Sequence, residues 1–372
     1  MAGLVVLVGL VVLGLYAQHR YSFDWHKVAH QFAQANWGEV GLAIGCIYLA
    51  FIVRAIRWAW LIRHSKRVPL LSLLDTQVIG FTAVALIGRL ADPVRPFLVS
   101  KKTRLPLSNQ VAVYVLERLF DAGTMAFIFS VAMLGIPTDQ IVHATSHSHL
   151  LSILKLSDPR AISFAVRYGV LVLTLLGFLF LLAIRMSGEL VAVVMEKSFS
   201  IFSAQLGSSA GHKIRAFRSG LDTMRHKSDF AMISALSIAM WILIALSYLL
   251  SCRAFVASPE LAAISPQKSV LLMVASGGAS IFQLPVIGWF TQIIAVAAIL
   301  TAGFGVAKEA ATAGAATLLL VTFLSIVPVG LVWAQIEHVS LRKVTVESEH
   351  AEEALESAET TEAADTAEQA EG

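Results

Sequence analysis

Residues 88–121 read GRLADPVRPFLVSKKTRLPLSNQVAVYVLERLFD, and this stretch decides the fold. It places six basic residues, together with Pro93 and Pro96, between long apolar runs. Proline removes a backbone donor and clashes with the preceding helical turn, so the two prolines predict a break in a helix. A charged side chain at the centre of a membrane helix costs about 2.5–3.5 kcal/mol on insertion scales. The charges therefore predict mutual pairing, a polar cavity or contact with a substrate.

The composition is that of an integral membrane protein. Of the 372 residues, 57% are hydrophobic and 14% are charged, whereas soluble domains carry about 25% charged residues. The mean hydropathy is +0.74. Apolar segments lie at residues 2–17, 39–62, 73–88, 109–134, 161–184, 229–250, 269–303 and 309–334. Because about 20 apolar residues span a bilayer as a helix, we predict an all-α polytopic membrane protein.

The loops differ in charge, and this difference predicts their sides of the membrane. Loops 63–72, 89–108 and 185–228 are rich in Lys and Arg, whereas loops 136–160 and 251–268 have few. Basic loops stay in the cytoplasm. We therefore expect a multi-pass protein of the cell inner membrane with a cytoplasmic N-terminus and C-terminus. Four tryptophans are expected in the interfacial aromatic belt: Trp25, Trp37, Trp58 and Trp60.

Two apolar segments cannot be simple spans. Segment 73–88 lies between two cytoplasmic loops, so it must enter and leave the membrane on the same side. Segment 269–303 is too long for one span and is interrupted by glycine and proline. The residues that predict these breaks are Gly88, Pro93, Pro96, Gly277, Gly278, Pro285 and Gly288. We expect about six full spans plus two re-entrant or broken segments.

The order helix, helix, broken segment, helix occurs twice along the chain, which predicts an inverted repeat by topology alone. Paired interruptions of this kind are the best sequence indication of a transport site. Irregular backbone at membrane depth persists only where it is buried in protein or lines a water-filled cavity. The two broken segments therefore mark the expected path of a substrate.

We divide the chain into a transmembrane domain, residues 1–335, and a cytoplasmic tail, residues 336–372. The tail has ten acidic residues and no Lys or Arg between Glu347 and Glu371, so we expect it to be disordered. Without those ten, 28 basic residues face 15 acidic ones. That excess suits contact with anionic headgroups, and it equally suits the retention of basic loops in the cytoplasm.

Carboxylates and arginines at helical spacing predict one polar site at the inner membrane face. Glu117 and Asp121 are one turn apart and share a helix face, so they repel each other unless a cation joins them or one is protonated. Arg54 and Arg57, three residues apart, are the expected partners, with Arg118 nearby. The planar fork of arginine suits bidentate contacts with phosphate, so the site predicts capture of a phosphate-bearing headgroup. A structural ion-pair network that fixes helix register is the alternative.

Further basic residues lie beside the first break. Arg89 and Arg95 are positioned to form an anion entrance with the amides of a re-entrant backbone. For Arg95, which lies between two prolines, we favour a role in substrate binding. For the cluster at 101–104, a signal that retains the loop in the cytoplasm is favoured.

Enzyme and metal chemistry are not indicated. Arg89-x5-Arg95-Pro96 matches part of a membrane lipid-phosphatase signature, but the downstream Ser-Gly-His and Arg-x5-His elements are missing. No nucleophile–base pair, metal triad or P-loop occurs in the sequence. His143, His147 and His149 have no Cys, Asp or Glu at ligand spacing, so they predict a polar outer loop. We expect no enzyme activity, no cofactor and no metal site.

At these residues the chain resembles the transmembrane region of lysylphosphatidylglycerol synthases, a flippase-like family. The resemblance covers about residues 1–335 and rests on Arg54-x-x-Arg57-Trp58, Gly88-Arg89, Arg95-Pro96, Glu117-Arg118-x-x-Asp121, Pro285-x-x-Gly288 and Phe304-Gly305-Val306. The family pattern usually has a Glu after the second break, where this chain has Trp289-Phe290-Thr291-Gln292. The aminoacyltransferase domain of the synthases has no counterpart here, so the resemblance implies the lipid-translocating portion alone.

The expected function is translocation of a phospholipid or polyprenyl-linked lipid across the inner membrane, along a polar path between the broken segments. The residues predicted to bind this substrate are Arg54, Arg57, Arg89, Arg95, Glu117, Arg118 and Asp121. The expected partner is an anionic phospholipid or a polyprenyl-phosphate-linked lipid, and no nucleic acid. Two alternatives stay open: a lipid-binding or assembly module that serves a separate membrane enzyme, and a small-solute secondary transporter.

Overall fold

The computed structural model describes residues 24–88, 91–137, 227–279 and 287–340, scattered positions between 158 and 198, and residues 346–347. Every regular element in these ranges is helical, as predicted. Several expectations fall outside the described residues: the segment 2–17, the histidine-containing loop, Arg89, Pro285, the connection 199–226 and most of the acidic tail.

The described residues of the first half form five α-helices. They are α1 (Trp25–Ala33), α2 (Trp37–Ile62), α3 (Leu74–Ile87), α4 (Val94–Thr103) and α5 (Leu107–Leu134), with a 3-10 turn at Leu70–Leu73. The side chain of Asn36 caps α2 by accepting a hydrogen bond from the amide of Gly38. The 14 residues of α3 rise about 21 Å, which is short of the roughly 30 Å of membrane hydrocarbon.

The first break is made by glycine rather than by proline. Gly88 ends α3 with φ 92° and ψ −165°, a conformation that other residues rarely adopt. Pro93 precedes α4 and Pro96 lies in its first turn, where the backbone amides have no intrahelical partner anyway. The prolines therefore begin α4, and α4 packs against α3.

The described residues of the second half form six α-helices and two π-helical segments. Its helices are α6 (Lys227–Arg253), α7 (Pro259–Ala262), α8 (Pro266–Ala279), α9 (Ile287–Ala298), α10 (Lys308–Leu319) and α11 (Ile326–Ile336). Two π-helical segments, Ile299–Gly303 and Leu320–Leu324, follow α9 and α10. Gly277 and Gly278 lie inside α8, and Gly288 lies in the first turn of α9. Helix α8 ends at Ala279, one residue after this glycine pair, so the expected interruption at Gly277 and Gly278 stays a prediction.

Three of the described helices are long and apolar enough to cross a membrane. They are Trp37–Ile62, Ser228–Arg253 and the combined helix Lys308–Ile336. Large apolar side chains on several helices point outward, among them Leu42, Phe127, Ile242, Ile294 and Val332. An apolar surface of this extent needs lipid or protein to cover it, so the chain is a membrane protein. The total of six spans stays a prediction.

Close packing of the helices positions the charged side chains. α2 lies along α6, and α3 packs against both α4 and α11. Gly330 of α11 lies so close to Thr82 of α3 that a Cβ there would overlap the threonine side chain. A buried apolar cluster that includes Trp58, Leu116 and Ile233 joins α2, α5 and α6. These contacts fix the positions of the polar groups of the three helices relative to one another.

Candidate functional site

The structure brings six of the predicted residues into one buried cluster. They are Arg54 and Arg57 of α2, Arg95 of α4, and Glu117, Arg118 and Asp121 of α5. We call this set the arginine cluster. The seventh predicted residue, Arg89, lies outside the described residues.

Glu117 is the centre of the arginine cluster. Its Oε1 atom is 2.9 Å from Arg57 Nη2 and 3.3 Å from Arg95 Nη1. The same oxygen is 3.8 Å from Arg54 Nε and 3.8 Å from Arg118 Nη2. One carboxylate therefore offsets positive charge from three helices at once. This pairing compensates for the burial of the arginines.

Asp121 lies one turn further along α5 and completes the pairing with α2. Arg57 Nη1 donates to Asp121 Oδ1 at 2.7 Å and to Ser237 Oγ at 2.7 Å. Trp241 Nε1 donates to the same Asp121 oxygen at 3.3 Å. The expected pairing of the α2 arginines with the α5 carboxylates is found, and α6 adds a hydroxyl and an indole to it.

Arg95 reaches the arginine cluster from the start of α4. Its Nη1 atom lies 3.1 Å from Gln77 Oε1 and 3.3 Å from Glu117 Oε1. The guanidinium carbon lies 4.7 Å, 4.9 Å and 5.7 Å from the ring centroids of Phe81, Tyr114 and Trp58. A Cβ built on Gly80 would overlap the Arg95 stem. The glycine in α3 therefore makes room for this side chain.

Arginines outnumber carboxylates in the arginine cluster by four to two. Asp92 is close enough to act on Arg118, and one positive charge still remains in excess. Arg95 Nε and Nη2, Arg57 Nε and Arg118 Nε have no hydrogen-bond partner among the described residues, and Glu117 Oε2 and Asp121 Oδ2 also lack one. A buried donor or acceptor without a partner costs about 1–3 kcal/mol.

A cavity of about 170 Å³ lies beside Arg54. The Arg54 guanidinium lies over the Phe81 ring at 4.3 Å, and its Nε donates to Met240 Sδ at 3.3 Å. Its lining residues belong to helices α2, α3, α6, α8 and α9 and to the second π-helical segment. The cavity therefore extends from the arginine cluster to the second broken segment.

The basic residues at 101–104 lie apart from the arginine cluster. Lys102 pairs with Asp75 at the start of α3 and, at 3.2 Å, with Glu337 after α11. Burial lowers the pKa of the Lys102 ammonium, but hydrogen bonds and charge from the two carboxylates outweigh burial and raise that pKa. Lys101 pairs with Glu347 of the tail at 2.9 Å. These lysines join helix ends rather than contributing to the arginine cluster.

Trp58 corrects one expectation. It is fully buried, and its indole N–H donates to Gln110 Oε1 at 3.0 Å, so it does not belong to an interfacial belt. Trp58 lies on the face of α2 that packs against α5, and Gln110 of α5 accepts the hydrogen bond of the indole. Trp25 and Trp37 are 49% and 54% exposed, as a belt requires. The other residues that sequence reasoning missed are neutral: Gln77, Tyr114, Ser237 and Trp241.

Comparison with known proteins agrees with the resemblance drawn from the motifs. Residues 1–330 match a family model described as the lysylphosphatidylglycerol synthase TM region. The match includes all members of the arginine cluster and both broken segments. No curated protein matched the chain.

Proposed function

Because the chain belongs to the lysylphosphatidylglycerol synthase transmembrane-region family, we propose that it is a flippase-like protein that moves a phosphate-bearing lipid headgroup across the cell inner membrane. The family is associated with lipid handling in membranes. The proposed substrate is an anionic phospholipid or a polyprenyl-phosphate-linked lipid. The sequence contains no ATPase motif, so the proposed movement uses a gradient or equilibrates the lipid between leaflets.

The excess of arginine over carboxylate is the observation that supports this proposal. Arg57 lies five residues before the end of α2, about 8 Å below it, and Glu117 lies ten residues into α5, about 15 Å along it. The basic loops next to these helix ends favour the cytoplasmic side. A headgroup phosphate in the arginine cluster would therefore lie within the membrane, where bidentate arginine contacts replace its water.

The arrangement of the broken segments supports movement rather than simple retention. Trp289 Nε1 of α9 donates to the Ala85 carbonyl of α3 at 2.9 Å. This bond joins the two broken segments near the C-terminal end of α3. The topology prediction places this end of α3 deepest in the membrane. A headgroup that moves from the arginine cluster toward the other leaflet would meet this contact. Separation of the two segments would therefore open a route for the headgroup.

Reconstitution tests the proposal directly. Vesicles that contain the protein and a fluorescent phosphatidylglycerol in both leaflets are exposed to an outside quencher. We expect the inner-leaflet probe to become accessible faster than in protein-free vesicles. If the rates are equal while the purified protein still binds the lipid, the protein is a lipid-binding module and the translocation proposal is wrong.

A further inference from the structure

Basic side chains from two segments form one surface at the ends of α2 and α4. Lys66 Nζ donates to the Thr103 carbonyl at 2.8 Å, so the loop after α2 lies against the end of α4. We call the basic residues that this contact brings together the basic surface: Lys66, Arg67, Lys101, Lys102 and Arg104. Positive charges that are concentrated in this way attract an anionic partner.

The described carboxylates compensate for only part of the basic surface. Lys102 is paired with carboxylates at the start of α3 and after α11, and Lys101 is paired with Glu347 at 2.9 Å. In the described part of the chain, the other three members of the basic surface form no ion pair with a carboxylate. The basic surface therefore has capacity for further anionic groups.

The pair with Lys101 places the start of the acidic tail at the basic surface. Both side chains of this pair are more than half exposed, so the pair contributes little by itself. Ten acidic residues lie between Glu347 and Glu371, and Glu347 is the first, so the other nine follow the contact. Even a coiled chain of about 25 residues has ends roughly 25–30 Å apart, so these carboxylates can reach every member of the basic surface.

The composition of the tail favours a contact made by charge. After Glu347 the tail contains one large apolar residue, Leu355, and no Lys or Arg. Such a segment cannot dock by burial of an apolar face. Its attachment beside Lys101 holds the carboxylates at an effective concentration of about millimolar, which favours the tail over free anions.

We propose that residues 348–372 dock on the basic surface of the same chain through their carboxylates and neutralise it. This interaction is separate from the proposed function, because none of its basic residues belongs to the arginine cluster. It contacts the helix that delivers Arg95, since α4 carries Arg95 in its first turn and Lys101 in its last. The competing occupants are anionic lipid headgroups and the tail of a second copy.

A zero-length carbodiimide tests the docking, because it joins a lysine amine to a carboxylate only where the two groups meet. The purified full chain is treated in nanodiscs of phosphatidylcholine, which has no net charge. Trypsin then releases the tail as one peptide, because no Lys or Arg follows Lys343. Mass spectrometry should find links from carboxylates beyond Glu347 to the three lysines of the basic surface: Lys66, Lys101 and Lys102.

Charge variants separate docking from mere tethering. Arg67→Gln with Arg104→Gln keeps all three lysines and should lower the yield of these links on the order of threefold. Lys27→Gln with Lys308→Gln removes two exposed charges elsewhere and should leave the yield unchanged. The link between Lys102 and its α3 partner serves as the internal reference, because the fold holds that pair.

Salt and a tail variant provide independent tests. Raising the salt from about 0.1 M to 1 M shortens the Debye length from about 10 Å to 3 Å and should also lower the yield. Substitution of four tail residues by Gln should do the same without altering the membrane helices, so this test holds even if the arginine variant does not fold. The four residues are Glu352, Glu353, Glu356 and Glu359.

Three outcomes would overturn the proposal. The first is absence of the links, or a yield that neither salt nor the charge variants change, because tethering alone would then explain it. The second is links between heavy-isotope-labelled and unlabelled copies in a detergent mixture, which would assign the surface to the tail of a second copy. The third is loss of the links in nanodiscs that contain phosphatidylglycerol, which would assign the surface to lipid headgroups. None of these outcomes depends on lipid translocation.

Discussion

The two predicted broken segments differ in the chemistry of their described residues. The first, α3 with α4, carries Asp75, Arg95 and Lys102 and delivers a guanidinium to the arginine cluster. The second, α8 with α9, contributes the neutral pair Ser276 and Gln292 to the cavity. One half therefore supplies charge and the other supplies uncharged hydrogen-bonding groups.

The difference follows from where compensation is available. Arg95 is tolerated because Glu117 of α5 lies 3.3 Å away and three aromatic rings surround its guanidinium. The described residues that line the cavity beside Gln292 include no carboxylate. A charge in the second segment would remain unpaired, and a buried unpaired charge is strongly destabilising.

The largest effect is expected for membrane topology, because the comparison assumes that the two halves insert in opposite directions. Ser65 follows α2 and Ala263 follows α7, and both are exposed. In a background of Cys46→Ser and Cys252→Ala, Ser65→Cys should react with an impermeant maleimide only after the membrane is opened. Ala263→Cys should react from outside in intact cells. Labelling of both from the same side would contradict the inverted repeat.

Removal of the Glu117 carboxylate should destabilise the arginine cluster. Glu117→Gln leaves four arginines with Asp121 as their nearest compensation, so we expect a loss of about 3–5 kcal/mol in stability. Thermal unfolding in detergent measures this loss. Glu260→Gln removes an exposed carboxylate and should change the melting temperature little. Equal melting temperatures for the two variants would show that Glu117 does not hold the cluster together.

Gly80→Ala tests whether α3 positions Arg95. The new methyl group would overlap the Arg95 stem, so the side chain or α3 must shift, at a cost of about 1–3 kcal/mol. The shift should also weaken binding of an anionic lipid. Gly123→Ala is the matched control, because a Cβ at that position meets no atom within 4 Å. We expect this control to be neutral or slightly stabilising through helix propensity.

The smallest effect is expected where Lys102 joins α3 to the end of α11. Lys102→Gln should cost less than about 1 kcal/mol, because the side chain is 30% exposed and solvent screens its ion pairs. The pKa of Lys102 is raised above its ordinary value of 10.5, so the contribution of the ammonium is complete at neutral pH. The difference in melting temperature between the two proteins should persist from pH 7 to 9 and shrink only above pH 10.5. A difference that shrinks already below pH 9 would assign it to another group.

The charged residues of the arginine cluster could be predicted from sequence, and the neutral residues around it could not. The spacing of Glu117 with Asp121, and of Arg54 with Arg57, defines helix faces, and the cost of charge in a membrane predicts that those faces meet. Ser237, Trp241 and Gln77 lie in apolar helices and give no such signal, because a single neutral group is tolerated on any face. Trp58 was placed wrongly, because a tryptophan near a helix end suits an interface as well as a core.

Substitution of Arg95 tests the central claim that the arginine cluster binds a lipid phosphate. Arg95→Lys keeps the positive charge and removes the planar fork, and Arg104→Lys makes the same change at an exposed position. Both variants are reconstituted, and the rate at which inner-leaflet fluorescent phosphatidylglycerol becomes accessible to an outside quencher is measured beside the melting temperature. The account predicts that Arg95→Lys loses at least about tenfold in rate with a small change in melting temperature, while Arg104→Lys keeps both. Full lipid movement by Arg95→Lys would contradict the account.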